Sequence, residues 1–168
     1  MVLALAMLVA CKKTEHTLTF NVNGVGDDVT VTANEGANIA DKLPSLSDTA
    51  EWHFGGWYES EALDGSAVTL PSSMPDSDKT YYAKWYVAVD VEVMLQNEAQ
   101  NGYEKSDELS YSVSFNKGSV PQKYEVKLSE EPFGFYDASA SSNHSIDIAG
   151  RDTSYTLKYN RVEFNLTY

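Results

Sequence analysis

From Thr17 onward, apolar and polar residues alternate. Leu18, Phe20 and Val22 fall on one phase, Thr17, Thr19 and Asn21 on the other, the period of a strand with one buried face. Asn23-Gly24 and Gly26-Asp27 are turn signals, and Val29 and Val31 alternate with threonines on the return, so residues 17–33 read as a hairpin. Residues 38–43 form the one expected helical turn, with Asn38 as cap and Pro44 as terminator. Further strands are expected over residues 52–58, 67–70 and 80–85.

The second half carries a longer alternation. Val87, Val89, Val91, Val93 and Leu95 share one face, with Ala88, Asp90, Glu92 and Met94 on the other. Residues 96–107 are polar and read as a loop. Leu109, Tyr111, Val113 and Phe115 form the next strand, and Asn116-Lys117-Gly118 turns the chain. Tyr124, Val126 and Leu128 follow, then Phe133, Phe135 and Tyr136 and a Ser/Asn-rich tip. Ile146 and Ile148 come next, then Tyr155, Leu157 and Tyr159, and finally Val162, Phe164 and Leu166. Short strands at steady spacing, without a helical period, indicate an immunoglobulin-like antiparallel β-sandwich over residues 86–168. No Gly/Pro linker separates Trp85 and Tyr86 from Val87, so the two halves are expected to share a nearly continuous strand.

Two aromatic blocks mark the first half. Phe54-Gly55-Gly56-Trp57-Tyr58 sets two glycines among rings, and Tyr82-Ala83-Lys84-Trp85 ends in alternating aromatics. Glycine permits a sharp turn or a close backbone approach, and paired aromatic strands make a small core. Phe54, Trp57 and Trp85 are expected inside it.

Together with Phe20-Asn21-Val22-Asn23-Gly24, these blocks resemble the Listeria–Bacteroides, or internalin B-type, repeat. Its opening strand reads aromatic-x-x-Asn-Gly. Its middle reads Gly-Tyr-x-Phe-x-Gly-Trp-Tyr, matched by residues 51–58, and its last strand reads Tyr-Ala-x-Trp, matched by residues 82–85. Glu51 replaces the usual glycine of the middle motif, and Val25 the second glycine of the opening turn. The resemblance spans residues 17–85. It implies a small β-grasp-like module of bacterial surface proteins, usually in tandem, with no chemistry of its own. The fold class expected is therefore mainly β, a β-grasp-like repeat module followed by the sandwich.

The N-terminus adds an address. Residues 1–10 are apolar but far short of the ~20 residues of a spanning helix, and have the length of a signal-peptide core. Leu8-Val9-Ala10-Cys11 resembles the bacterial lipobox, in which cleavage precedes a cysteine whose thiol is acylated. Cys11 is the one cysteine in the chain, so no intrachain disulfide can form. Residues 1–10 read as a signal-peptide remnant, and the missing basic n-region points to a start upstream of Met1 or to a trimmed chain. Residues 11–16 read as a lipidated tether. Lipid on Cys11 implies an exported protein held on a membrane of the cell envelope.

The net charge of −13 repels nucleic acid, and no basic stripe offsets it. His16, His53 and His144 are the three histidines and show no metal-ligand spacing, so neither a metal nor another cofactor is expected. Asp76-Ser77-Asp78 and Gly26-Asp27-Asp28 offer calcium-type oxygens but read more simply as turns. No nucleophile motif appears, and the 25 acids fall mostly at turns and on the polar phase of strands. No deep pocket lined by two or more carboxylates is therefore expected, and no enzyme. The candidate ligand contacts are Tyr58 and Tyr81, as partly exposed rings able to stack on a sugar or anchor a protein. The reading is a non-enzymatic surface lipoprotein of adhesion or ligand-presenting type, binding a protein or glycan. A carbohydrate-binding accessory protein of a glycan-uptake system is the alternative, and a small hydrolase fragment the third.

Overall fold

The structure is a computed structural model that describes residues 13–126 and 144–162. Cys11, the apolar run before it, Leu128, the aromatics at 133–136, the Ser/Asn-rich tip, Phe164 and Leu166 lie outside the described residues. The described elements are β1 (Glu15–Asn21), β2 (Val29–Asn34), a 3-10 turn (Ala40–Lys42), β3 (His53–Tyr58), β4 (Lys79–Gln96), β5 (Tyr103–Asn116), β6 (Lys123–Val126), β7 (His144–Asp147) and β8 (Asp152–Tyr159). The mainly β architecture expected from the alternation is the one observed. Two compact units divide it. One takes the residues up to Leu46 together with Gly55–Lys84, and the other takes Ser47–Phe54 together with the residues from Trp85 onward. Strand β4 runs through both.

In the first unit, β1 and β2 pair antiparallel from Glu15↔Asn34 to Phe20↔Val29. Asn23 and Gly24 both take positive φ, 51° and 72°, and Val25 N–H donates to Val22 C=O at 3.2 Å. That backbone reversal needs the left-handed region at two successive positions, which Asn-Gly tolerates best. β1 then pairs in parallel with the start of β4, and Phe20 lies beside Tyr81. Leu18, Phe20, Val22, Val31, Ile39, Trp57, Met74 and Ala83 are buried in this unit. Asn38 Oδ1 accepts from Ala40 N–H at 3.0 Å, but the N-cap of the 3-10 turn is Ile39, one residue later than expected, and it makes no side-chain cap. The strand expected over residues 67–70 reduces to a single bridge between Val68 and Trp57.

In the second unit, β4 carries β5 antiparallel, from Tyr86↔Asn116 to Gln96↔Tyr103. β8 adds in parallel, from Ala88↔Asp152 to Leu95↔Tyr159, so this pairing departs from an all-antiparallel sandwich. β6 and β7 form a separate two-stranded antiparallel sheet. Val89, Val91, Val93, Leu157 and Tyr159 of the larger sheet pack with Val126 and Ile146 of the smaller one, and this shared apolar layer is the core of a sandwich. Residues 103–107, expected as loop, belong to β5. They are polar, and their pairing to Met94, Leu95 and Gln96 decides their conformation.

The β4–β5 ladder is irregular between Val91 and Val93. Val91 faces Tyr111, but Val93 faces Ser106, leaving residues 107–110 of β5 opposite Glu92 alone. Ser110 Oγ fills the gap. It accepts from Val93 N–H at 3.0 Å and donates to Ser106 C=O at 2.6 Å.

Candidate functional site

The aromatic blocks fold into packing. Phe20 stacks on Tyr81 with centroids 5.5 Å apart and planes 16° apart, and meets Trp57 edge-on at 5.4 Å. Tyr81 is 3% exposed and Tyr58 is 7% exposed. Neither is the open ring expected of a ligand contact, and two physical reasons account for the correction. Gly56 takes φ +97°, which breaks the period-two alternation and lets the adjacent Trp57 and Tyr58 both be buried. Tyr81 shares its phase with Ala83 and is covered by the Phe20 ring. Burial raises the Tyr81 phenol above its ordinary range. Lys84 lies over the Tyr58 ring, Nζ 5.6 Å from the centroid.

Of the three rings expected inside, Trp57 and Trp85 are buried and Phe54 is half-buried. Trp57 packs on Phe20 in the first unit. Phe54 packs on Trp85 at 5.2 Å, and both belong to the second. Among the described residues, the large apolar side chains that remain exposed are Tyr103 and Val162.

The acids at the two calcium-like turns are used as caps. Asp28 Oδ1 accepts from Val22 N–H and Asp78 Oδ1 from Thr17 N–H, each at 2.8 Å. Ser77 Oγ donates to Asp76 at 3.3 Å. Among the described residues, no group of three or more His, Cys, Asp or Glu is placed to hold a metal ion.

A charge cluster lies in the second unit, built on a variable position of the middle motif. His53, at the start of β3, has Nδ1 2.8 Å from Asp48 Oδ2 and Nε2 2.6 Å from Asp152 Oδ1. Its ring stacks on Tyr86 at 5.1 Å and its side chain is 18% exposed. Asp48 is held locally: its Oδ1 accepts from Phe54 N–H at 2.9 Å. A tight turn precedes that bond, with Thr49 N–H donating to Trp52 C=O at 2.8 Å and Trp52 N–H to Thr49 Oγ1 at 3.0 Å. Arg151 completes the cluster. Its Nε donates to Asp152 Oδ2 at 2.8 Å and its Nη1 to Thr49 C=O at 3.0 Å, with Asp48 Oδ2 at 3.9 Å. Hydrogen bonding to Asp48, then to Asp152, raises His53 above its ordinary value of 6.5. The Phe54 amide, then His53, holds Asp48 below its ordinary value of 3.8, and Arg151, then His53, does the same for Asp152.

Two grooves mark the surface of the second unit. One of about 580 Å³ is lined by Glu98, Glu104, Lys105 and Arg161 among others. A smaller one of about 350 Å³ includes Asp90, Glu92, Asp107 and Ser112. Each groove gathers two or more carboxylates, and both are open to solvent. Several of these acids have partners. Glu92 faces Lys105 at 3.5 Å, Glu98 faces Arg161 at 4.0 Å, and Ser112 Oγ donates to Asp90.

Residues 16–84 match the model of the Listeria-Bacteroides repeat domain. The first half of the chain therefore carries a repeat of this family, a family of cell-surface domains found often in adhesion-type proteins. No curated protein and no solved structure matches the chain.

Proposed function

We propose that the chain is a non-enzymatic lipoprotein of the bacterial cell envelope that presents a binding surface for a protein ligand, anchored through lipid on Cys11. The match of residues 16–84 to a repeat of cell-surface proteins carries this reading. Among the described residues β2 terminates the larger sheet, with Thr30 and Thr32 exposed along it, and an open strand edge is a surface on which an extended peptide adds by backbone pairing. The carbohydrate-accessory reading loses its main support with the burial of Tyr58 and Tyr81. The grooves keep a hydrolase as the competing outcome, since paired acids in a cleft are what glycoside hydrolysis uses.

The test exposes the full chain to a glycan array, to a panel of extracellular and cell-surface proteins, and to ester and glycoside substrates. Saturable binding to a protein without turnover is expected. Turnover that disappears in Glu104→Gln replaces the reading with a hydrolase. Binding confined to glycans replaces it with the accessory role.

A further inference from the structure

The Asp48–His53–Asp152–Arg151 cluster joins two stretches of the second unit that lie about a hundred residues apart in sequence: the turn at residues 48–52 and the start of β8. An imidazole that meets a carboxylate oxygen at both nitrogens donates at both only when it is doubly protonated. In that form the cluster holds two cations, His53 and Arg151, and two carboxylates, and its net charge is zero. Loss of one ring proton leaves a net charge of −1. It also turns a nitrogen lone pair toward a carboxylate oxygen at hydrogen-bond distance, so one of the two contacts becomes repulsive.

We propose that this cluster is a proton-operated fastener, in which the imidazolium of His53 bridges Asp48 and Asp152 and holds residues 48–52 against β8, and its deprotonation loosens that hold. The groups facing His53 are Asp48 from its own segment, Asp152 from the start of β8, Arg151 from the β7–β8 connection just before it, and the Tyr86 ring from β4. Arg151 stays charged at all working pH values and keeps its bond to Thr49 C=O. The loosened state is therefore a segment that keeps its Arg151 contacts and loses the His53 bridge.

The direction follows from linkage. His53 titrates above its ordinary 6.5, so its contribution is fully present below 6.5 and disappears as pH rises through the raised value. The carboxylates titrate below their ordinary 3.8, so theirs is present above 3.8 and disappears in stronger acid. The fastener is tightest in mild acid, between those limits.

The experiment is an imidazole nitrogen NMR titration of the full chain from about pH 5 to about pH 9, with amide exchange of Phe54 measured over the same span and corrected for base catalysis. With three histidines, the His53 signals are assigned by comparison with His53→Gln. Both His53 nitrogens are expected to carry protons below the transition. The midpoint is expected above 6.5. Phe54 protection should fall severalfold through that transition, and Asp152→Asn should lower the midpoint. A midpoint at or below 6.5, or Phe54 protection that ignores the transition, overturns the proposal. If His53→Gln does not fold, through-bond correlation from the His53 backbone assigns its ring in the wild type, and the wild-type titration then decides.

Discussion

The Ser110 hydroxyl stands 3.0 Å from the backbone N–H of Val93, at the point where the β4–β5 ladder loses its register. Val93 is fully buried, so its amide has no water to turn to. Ser110→Ala should destabilise the second unit by about 1–3 kcal/mol, the cost of a buried donor left unpaired. Chemical denaturation checks this. Ser112→Ala removes a hydroxyl from the neighbouring, more open position and should cost less.

Trp57 lies edge-on to Phe20 and is 5% exposed. Trp57→Ala should cost about 3–5 kcal/mol. A domain commonly has only ~5–15 kcal/mol in all, so loss of cooperative melting in the repeat is the expected result. A melting curve equal to wild type would mean the ring is not part of the core.

A side chain at Gly56 meets two obstacles. Its φ of +97° is strained for any L residue, and an added Cβ would stand 2.8 Å from Ala67 Cβ. Gly56→Ala should cost roughly 1–3 kcal/mol. At Gly55 the φ is not in the left-handed region, and an added Cβ would stand 3.0 Å from Lys84 Cγ, a looser contact than the 2.8 Å at Gly56. Gly55→Ala should therefore cost less, and comparison of the two melting temperatures reads the difference.

Acid stability should depend on Asp152. Its carboxylate titrates below its ordinary 3.8 because of Arg151 and His53, so it stabilises the fold above that value and ceases to in stronger acid. Asp152→Asn should flatten the acid limb of the stability–pH curve. An unchanged limb, measured by fluorescence at graded pH, would remove Asp152 from the account.

Cys11→Ser should abolish labelling by a palmitate analogue and move the protein to the soluble export fraction. Equal labelling of both forms would overturn the anchoring proposal.

Local pattern was a good guide to local structure. Leu18, Phe20 and Val22, and Val87, Val89, Val91 and Val93, have the phase that alternation assigns, and all seven are buried. What alternation does not carry is the partner. The parallel alignments Phe20↔Tyr81 and Val91↔Tyr155 join residues more than sixty positions apart, and neither has a turn to announce it. Tyr58 and Tyr81 could be placed on strands, but whether a ring is covered depends on the neighbouring strand. Alternation places His53 on the face opposite Trp52 and Phe54. Its significance depends on Asp152, which no spacing rule connects to it.

The parallel placement of β8 against β4 has a consequence for biosynthesis. Strand β4 is complete at Gln96, but the strand that covers its second edge begins only at Asp152. At translation rates of roughly 5–20 residues per second, a valine-rich edge waits for several seconds without its final neighbour. A bare apolar edge invites a second chain to pair with it. The nascent protein is thus most prone to self-association after β4 has emerged and before β8 has, and a chain cut short in that interval is a seed for aggregates.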